Sequence, residues 1–126
     1  MTVRAQVSRT VELWRLFRNE RSDPGAFYRR LAADAVDGFE RRYGSLAGKV
    51  VADIGCGPGY YTDAFRGAGA SVLPLEYDPD ELLLAGDPPV GAVIGDAERL
   101  PIRTESVDGV FCSNMLEHTP RPANVV

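Results

Sequence analysis

Three acidic residues stand where three apolar, strand-like segments of the chain end. They are Asp53, Glu76 and Asp96. In an open parallel sheet the carboxyl ends of the strands share one rim, so these carboxylates should converge on a single site. Carboxylates attract ligands that carry positive charge, amino groups or hydroxyls. The three acidic residues therefore predict a site for a cationic or hydroxyl-rich ligand.

A glycine turn follows the first of these segments. Val50, Val51 and Ile54 form a β-branched run that is typical of a buried strand. It is followed by glycines at alternate positions, namely Gly55, Gly57 and Gly59. Glycine adopts backbone conformations that a Cβ disfavours and lets a ligand approach the main chain. We therefore expect a strand, a ligand-binding turn and then a helix.

A nucleoside is the ligand that the spacing favours. Glu76 lies 21 residues after Gly55, about the separation at which an acidic residue binds the ribose hydroxyls in nucleotide-binding α/β folds. Asp96, followed by Ala97, would accept a hydrogen bond from the exocyclic amino group of an adenine. The alternatives are a solvated strand end for Glu76 and a turn-forming aspartate for Asp96.

Two common nucleotide-binding motifs do not match. The dinucleotide fingerprint of oxidoreductases requires a third glycine at position 60, where this chain has Tyr60. The phosphate-binding loop of nucleotide hydrolases requires Ser or Thr after its Gly-Lys pair, whereas Gly48 and Lys49 precede Val50. A dehydrogenase therefore remains a distant alternative.

The elements around this site predict an α/β domain with a parallel sheet. The expected strands cover residues 50–54, 71–75, 90–94 and 107–112, and the expected helices cover residues 8–19, 24–43, 61–68 and 80–85. Strands that alternate with short helices are typical of layered α/β domains. We expect residues 1–47 to form an N-terminal helical cap and residues 48–126 to bind the ligand.

The cap and the binding region carry opposite charge. Residues 1–47 contain nine arginines and six acidic residues, a net charge of +3, whereas residues 48–126 carry a net charge of −7. Val11, Trp14 and Phe17 share one helical face, which predicts that the cap packs on the sheet. The pattern disfavours an arginine-rich nucleic-acid surface, because acidic residues interleave the arginines and the acidic region would repel a polyanion.

The length and composition fit one soluble globular domain. Cys56 and Cys112 are far apart and form no CxxC pair, which predicts two reduced thiols and no zinc cluster. The sequence has no apolar run of the roughly 20 residues that span a bilayer, and its start does not resemble a signal peptide. We therefore expect a cytoplasmic protein without a membrane segment.

Four segments carry a family resemblance. They are residues 51–59 with the glycine turn, 75–79 at the second strand end, 95–101, and 106–118 with the fourth strand and the following turn. In this order they resemble the motifs of class I S-adenosylmethionine-dependent methyltransferases, in particular a methyltransferase type 11-like domain. The match covers about residues 49–122. It implies a three-layer α/β/α Rossmann-like fold with a mainly parallel sheet, N-terminal helices and S-adenosylmethionine as the cofactor.

The resemblance also implies which residues bind that cofactor, namely Asp53, Gly55, Gly57, Gly59, Glu76, Asp96, Ala97 and Asn114. The three glycines would lie near the methionine part, and Asp53 would help to orient its amino group. Glu76 would hold the ribose hydroxyls, and Asp96 with the backbone of Ala97 would hold the adenine. Asn114 would lie near the methyl donor.

His118 is the sole histidine and the candidate catalytic residue. It would act as a base or contact the acceptor, and a structural role at a helix start is the alternative. Residues 114–118 are similar to the turn of quinone-ring O-methyltransferases of this superfamily, in which Glu-x-x-Glu-His can hold a divalent metal. Asn114 replaces the first glutamate and is a weaker ligand, so we expect no metal.

The implied function is transfer of a methyl group to a small-molecule acceptor by in-line displacement. Class I enzymes usually continue beyond the fourth strand, so we expect a truncated domain that lacks the C-terminal strands. The alternative is a cofactor-binding or partner-binding fragment without independent catalysis. In that case a homodimer or a partner chain would cover the open edge of the sheet.

Overall fold

The computed structural model describes residues 2–125. Its α-helices are α1 (Val3–Arg18), α2 (Pro24–Tyr43), α3 (Tyr60–Gly67) and α4 (Pro79–Leu82). Its strands are β1 (Val50–Ile54), β2 (Ser71–Glu76), β3 (Val93–Ile94) and β4 (Gly109–Cys112). Short 3₁₀ helices follow β3 at Ala97–Arg99 and follow β4 at Leu116–His118 and Pro122–Asn124. Within the described residues, no helix is long and apolar enough to cross a membrane.

The four strands form one sheet in the order β3-β2-β1-β4. β1 pairs in parallel with both β2 and β4, and β2 pairs in parallel with β3. Residues 51–54 of β1 are buried, as expected for a central parallel strand that is covered on both faces. The predicted α/β class with a parallel sheet is confirmed.

The sheet separates two hydrophobic clusters. Val51 and Ala52 are adjacent in β1 and belong to different clusters, so the clusters lie on opposite faces of the sheet. Val36 of α2 and Phe65 of α3 belong to the cluster of Val51, so these two helices cover that face. The other face is covered by segments that follow β3 and β4 and contribute Leu100, Ile102, Val107, Met115 and Val125.

Capping residues determine where the two long helices begin. Thr2 caps α1 by accepting a hydrogen bond from the Ala5 N–H, with an N···O distance of 3.3 Å. The helix therefore begins at residue 3 and not at residue 8 as predicted. Asp23 caps α2 by accepting a hydrogen bond from the Ala26 N–H at 3.1 Å, and Pro24 occupies the first turn. The observed bounds of α2 agree with the prediction.

The predicted packing of α1 on the sheet is wrong. Arg9 forms an ion pair with Asp34 at 3.0 Å, and Glu12 forms one with Arg30, so the face that carries Arg9 and Glu12 lies against α2. Val11, Trp14 and Phe17, which were expected to be buried together, are each 58 to 59% exposed. Leu13 and Leu16, which extend the predicted apolar stripe, are half-buried, so α2 covers the edge of the stripe and leaves its centre exposed.

β3 and α4 are shorter than predicted because turns replace their ends. The Ala92 N–H donates to the Pro89 carbonyl at 3.1 Å, and Gly91 has a φ of +77°, so residues 90–92 form a turn and not a strand. Another turn, from the Gly86 N–H to the Leu83 carbonyl at 3.0 Å, follows α4. Proline and glycine in this segment end both elements early.

β4 begins at Gly109 and not at residue 107. Asp108 connects the start of β4 to the start of β1, because its N–H donates to the Val50 carbonyl and its carboxylate accepts from the Val50 N–H, both at 2.8 Å. The Asp108 side chain thus provides a hydrogen bond just before the point where the backbone pairing of β1 and β4 begins. It also fixes the register of the two strands whose other ends form the candidate site.

Candidate functional site

A pocket lies where the order of the strands reverses. The chain runs from β1 outward to β2 and β3 and then returns to β4 on the other side of β1. Open parallel sheets bind ligands in the crevice that such a reversal creates at the carboxyl ends of the strands. The pocket has a volume of about 650 Å³ and is lined by Gly55, Gly57, Leu75, Glu76, Tyr77, Asp78, Glu81, Gly95, Asp96, Ala97, Glu98, Asn114, Met115, His118, Thr119, Pro120 and Arg121.

The three glycines of the turn after β1 have different neighbours, although each has a positive φ. A Cβ on Gly55 would lie 2.6 Å from the Met115 side chain, and a Cβ on Gly59 would collide with Pro89. A Cβ on Gly57 would meet no protein atom within 4 Å, and this residue lines the pocket. Gly55 and Gly59 therefore permit close packing, whereas Gly57 leaves space for a ligand.

Glu76 connects the end of β2 to the glycine turn. Its Oε2 accepts a hydrogen bond from the Gly57 N–H at 2.8 Å. Its Oε1 accepts from the N–H groups of Tyr77 at 2.8 Å and Asp78 at 3.2 Å. The carboxylate is thus held on the pocket wall by three backbone donors, which excludes the alternative of a freely solvated strand end.

Asp96 is a turn-forming residue and also lines the pocket. Its Oδ1 accepts a hydrogen bond from the Glu98 N–H at 2.9 Å and so caps the 3₁₀ helix Ala97–Arg99. Ala97 is buried at the base of this wall. The turn role and the predicted ligand role are compatible, because the cap uses only one of the two carboxylate oxygens.

The segment after β4 forms the opposite wall. Asn114 has a φ of +52°, a conformation that Asn tolerates better than most residues with a side chain. Its backbone turn is followed by Met115, which packs against Gly55, and by the exposed His118. The His118 Nε2 lies 4.0 Å from Glu117 Oε1. His118 is therefore both exposed and part of the pocket lining.

Asp53 is buried behind the pocket. Its side chain is only 2% exposed, and its Oδ2 accepts a hydrogen bond from the Thr62 hydroxyl of α3 at 2.6 Å. Burial, together with the nearby Glu76 charge, raises the pKa of Asp53 from 3.8 to about 6, although the Thr62 hydrogen bonds oppose the shift. The ionised carboxylate consequently destabilises the fold in the absence of a positively charged partner.

This burial predicts a dependence of stability on pH. The folded protein holds the Asp53 proton more tightly than the unfolded chain does, so the free energy of unfolding should decrease as the pH rises from about 4 to about 6. The decrease from this residue is about 3 kcal/mol. Asp53→Asn removes this pH-dependent decrease. Urea unfolding measured from about pH 4 to about pH 6 should therefore show the variant gaining stability relative to wild type. A difference that stays constant with pH would contradict the shifted pKa.

Neither cysteine lines the pocket. Cys56 is buried within the glycine turn, where desolvation raises the pKa of its thiol to about 12. Cys112 is exposed at the end of β4, and both thiols are free, as predicted. Within residues 2–125, no three His, Cys, Asp or Glu side chains are close enough together to hold a metal ion.

The structure brings most of the predicted site residues to one pocket, namely Gly55, Gly57, Glu76, Asp96, Ala97, Asn114 and His118. Asp53 and Gly59 do not line it, because Asp53 bonds to Thr62 and Gly59 packs on Pro89. Sequence reasoning did not identify Glu98 and Arg121, which form an ion pair across the pocket walls. No local motif reveals a pair that is 23 residues apart.

Comparison with known proteins assigns the family. A family model described as a methyltransferase domain matches residues 52–126. The chain belongs to this methyltransferase family. The methyltransferase domain is 43% identical over 129 residues to an uncharacterised methyltransferase of Mycobacterium avium, covering 94% of this chain and 51% of that protein. A relative from Mycobacterium ulcerans is 39% identical over 128 residues, covering 94% and 50%. The chain thus spans about half the length of these relatives.

Solved structures share the fold of this methyltransferase domain. A candidate S-adenosylmethionine-dependent methyltransferase of Methanococcus maripaludis aligns with a TM-score of 0.64 at 15% identity, covering 90% of this chain and 53% of that one. Magnesium protoporphyrin IX methyltransferase of Synechocystis PCC 6803, crystallised with S-adenosylmethionine, aligns with a TM-score of 0.56 at 25% identity, covering 75% and 50%. The predicted family and Rossmann-like fold are confirmed, and S-adenosylmethionine is confirmed as the cofactor used in this family.

Proposed function

We propose that this methyltransferase domain binds S-adenosylmethionine in the pocket at the ends of β1, β2, β3 and β4. The observation that carries the proposal is the combination of an open glycine turn at Gly57 with carboxylates that follow the neighbouring strands, at the point where the strand order reverses. The glycine turn and the carboxylates would each bind a different part of this cofactor, for a different physical reason.

The charge of the pocket fits a cationic ligand. Five carboxylate side chains line it, those of Glu76, Asp78, Glu81, Asp96 and Glu98, against Arg121 as the one arginine of the lining. A sulfonium and an ammonium group gain Coulomb attraction in such a site, whereas a pyrophosphate would be repelled. The same argument disfavours a dinucleotide cofactor and a nucleoside triphosphate.

The individual contacts follow from the fixed donors and acceptors of the walls. Glu76 is held by three backbone N–H groups in a position to accept the two ribose hydroxyls. Asp96 and the backbone of Ala97 would hold the adenine, and Gly55 and Gly57 would contact the methionine part. Asp53 would act through its charge from behind the turn, and Gly59 through its packing on Pro89.

Methyl transfer is the chemistry that we propose for this site. When bound, S-adenosylmethionine supplies a methyl group on a sulfonium, and its transfer to a nucleophile is an in-line displacement that depends mainly on positioning. The walls formed by the glycine turn and by Asn114 would orient the donor and exclude water from it. His118 would contact the acceptor or remove a proton from it where the acceptor requires this.

We propose a small-molecule acceptor, because the exposed His118 lines the same pocket as Asn114, which would lie near the methyl donor. The second candidate, binding without independent catalysis, is favoured by the free edge of β4, which pairs only with β1 among residues 2–125. In that case a second copy or a partner chain would complete the sheet.

Transfer of a labelled methyl group separates these functions. The chain would be incubated with methyl-labelled S-adenosylmethionine and phenol, amine, thiol and carboxylate acceptors, and a His118→Ala variant would report on the base. Labelled product with any acceptor supports the enzyme. Binding of the cofactor with no product, together with a dimeric mass in light scattering, would support the second candidate.

A further inference from the structure

An ion pair between Glu98 and Arg121 joins two walls of the pocket. Glu98 Oε2 accepts from the Arg121 guanidinium, with distances of 2.7 Å to Nη2 and 3.0 Å to Nε. Glu98 Oε1 accepts from the Arg121 backbone N–H at 2.9 Å. Both carboxylate oxygens are therefore engaged by one residue, and the contact holds the backbone of Arg121 as well as its side chain.

The two residues belong to walls with different predicted functions. Glu98 lies in the 3₁₀ helix after β3, next to Ala97 in the chain, on the predicted adenine side. Arg121 lies in the segment after β4, between His118, which lines the pocket, and the buried Val125, which belongs to the core. The pair thus connects the middle of that segment to the adenine wall.

The burial of Glu98 distinguishes this pair from an ordinary surface ion pair. The Glu98 side chain is 7% exposed, whereas that of Arg121 is 66% exposed. Exposed pairs contribute little to stability, but a desolvated carboxylate that loses its partner is costly. Charge-assisted hydrogen bonds are also stronger than neutral ones. The pair is therefore able to hold a segment that is otherwise mostly exposed.

We propose that Glu98 and Arg121 are positioning residues that hold the segment after β4 in place against the adenine wall and so determine how long the cofactor stays bound. The inference rests on the proposed function of the pocket. The pair connects the two walls near the pocket surface, where the Arg121 side chain is exposed. Loss of the pair should therefore allow the segment to move away from the adenine wall and the ligand to leave faster. Entry into an already accessible pocket should change little.

Stopped-flow measurement of S-adenosylmethionine binding tests the proposal. Arg121→Ala should increase the dissociation rate about tenfold and leave the association rate unchanged, as expected when one charge-assisted interaction is lost. Arg121→Lys keeps the charge but not the double contact to Oε2 and should give an intermediate rate. Arg103→Ala, which removes an exposed arginine outside the pocket lining, is the matched control. Equal dissociation rates for Arg121→Ala and Arg103→Ala would overturn the proposal.

Hydrogen exchange of the cofactor-free chain gives a second readout. Amides of residues 116–121 should exchange faster in Arg121→Ala than in Arg103→Ala, and unchanged exchange would overturn the proposal even if no cofactor binds. Absence of binding to the wild-type chain would instead refute the proposed function, so the two failures are distinguishable. If Arg121→Ala does not fold, Arg121→Lys and Glu98→Gln carry both measurements.

Discussion

Replacing Gly57 with alanine should weaken binding of S-adenosylmethionine at least about 100-fold, equivalent to about 2.7 kcal/mol. Gly57 has a φ of +51° and lines the pocket, and a Cβ at this position would meet no protein atom within 4 Å. The added methyl group would therefore occupy space reserved for the ligand. Isothermal titration calorimetry on wild type and variant measures the loss.

The expected loss must be separated from backbone strain. Alanine in the left-handed region costs about 1 kcal/mol of stability. Gly48→Ala is the matched control, because Gly48 has a φ of +74°, also has open space around its Cβ position and lies outside the pocket lining. Both variants should lose similar stability, and only Gly57→Ala should lose binding. Equal affinity in the two variants would contradict the placement of the ligand against the turn.

Replacing Glu76 should give the second largest effect. Glu76→Ala removes the acceptor proposed for the ribose and also releases the Gly57 N–H that Oε2 holds at 2.8 Å. Hydrogen bonds to a charged group contribute about 1.5 to 3 kcal/mol, so affinity for S-adenosylmethionine should fall about 10-fold to 150-fold. The affinity of Glu76→Gln should lie between those of wild type and Glu76→Ala, since the amide keeps one oxygen as an acceptor.

A second carboxylate in the pocket provides the control for general electrostatics. Glu81 also lines the pocket, from an exposed position on α4. Glu81→Gln removes the same charge without removing the proposed ribose acceptor. Titration should show a small loss that disappears at high salt, because exposed charges are screened. If Glu76→Gln and Glu81→Gln have the same affinity, Glu76 has no specific contact with the ligand.

The site was most predictable where its signals are local. The strand β1, the turn through Gly55 and Gly57 and the carboxylate of Glu76 follow from short-range rules, since β-branched residues favour buried strands and alternate glycines favour a left-handed turn. The order of the strands completed the prediction, because parallel strands place their carboxyl ends together. These features were read from consecutive residues, and the structure places them at one pocket.

The remaining features depend on contacts between distant residues. The covered face of α1 carries Arg9 and Glu12, whose partners Asp34 and Arg30 lie on α2, and the sequence of α1 alone does not show where those partners are. The buried carboxylate of Asp53 finds its hydrogen-bond partner, Thr62, in the following helix. The bridge from Glu98 to Arg121 requires the chain to return past β1 before the two residues meet. Tertiary packing of this kind leaves no pattern in a single sequence.

Calorimetric titration of the wild-type chain with S-adenosylmethionine tests the central claim most directly. We expect binding of about one molecule per chain, with a thermal shift that reports about 2.7 kcal/mol of added stability at a ligand concentration 100 times the dissociation constant. NAD should give neither heat nor a shift. Absence of both signals with millimolar S-adenosylmethionine would contradict the assignment of this pocket.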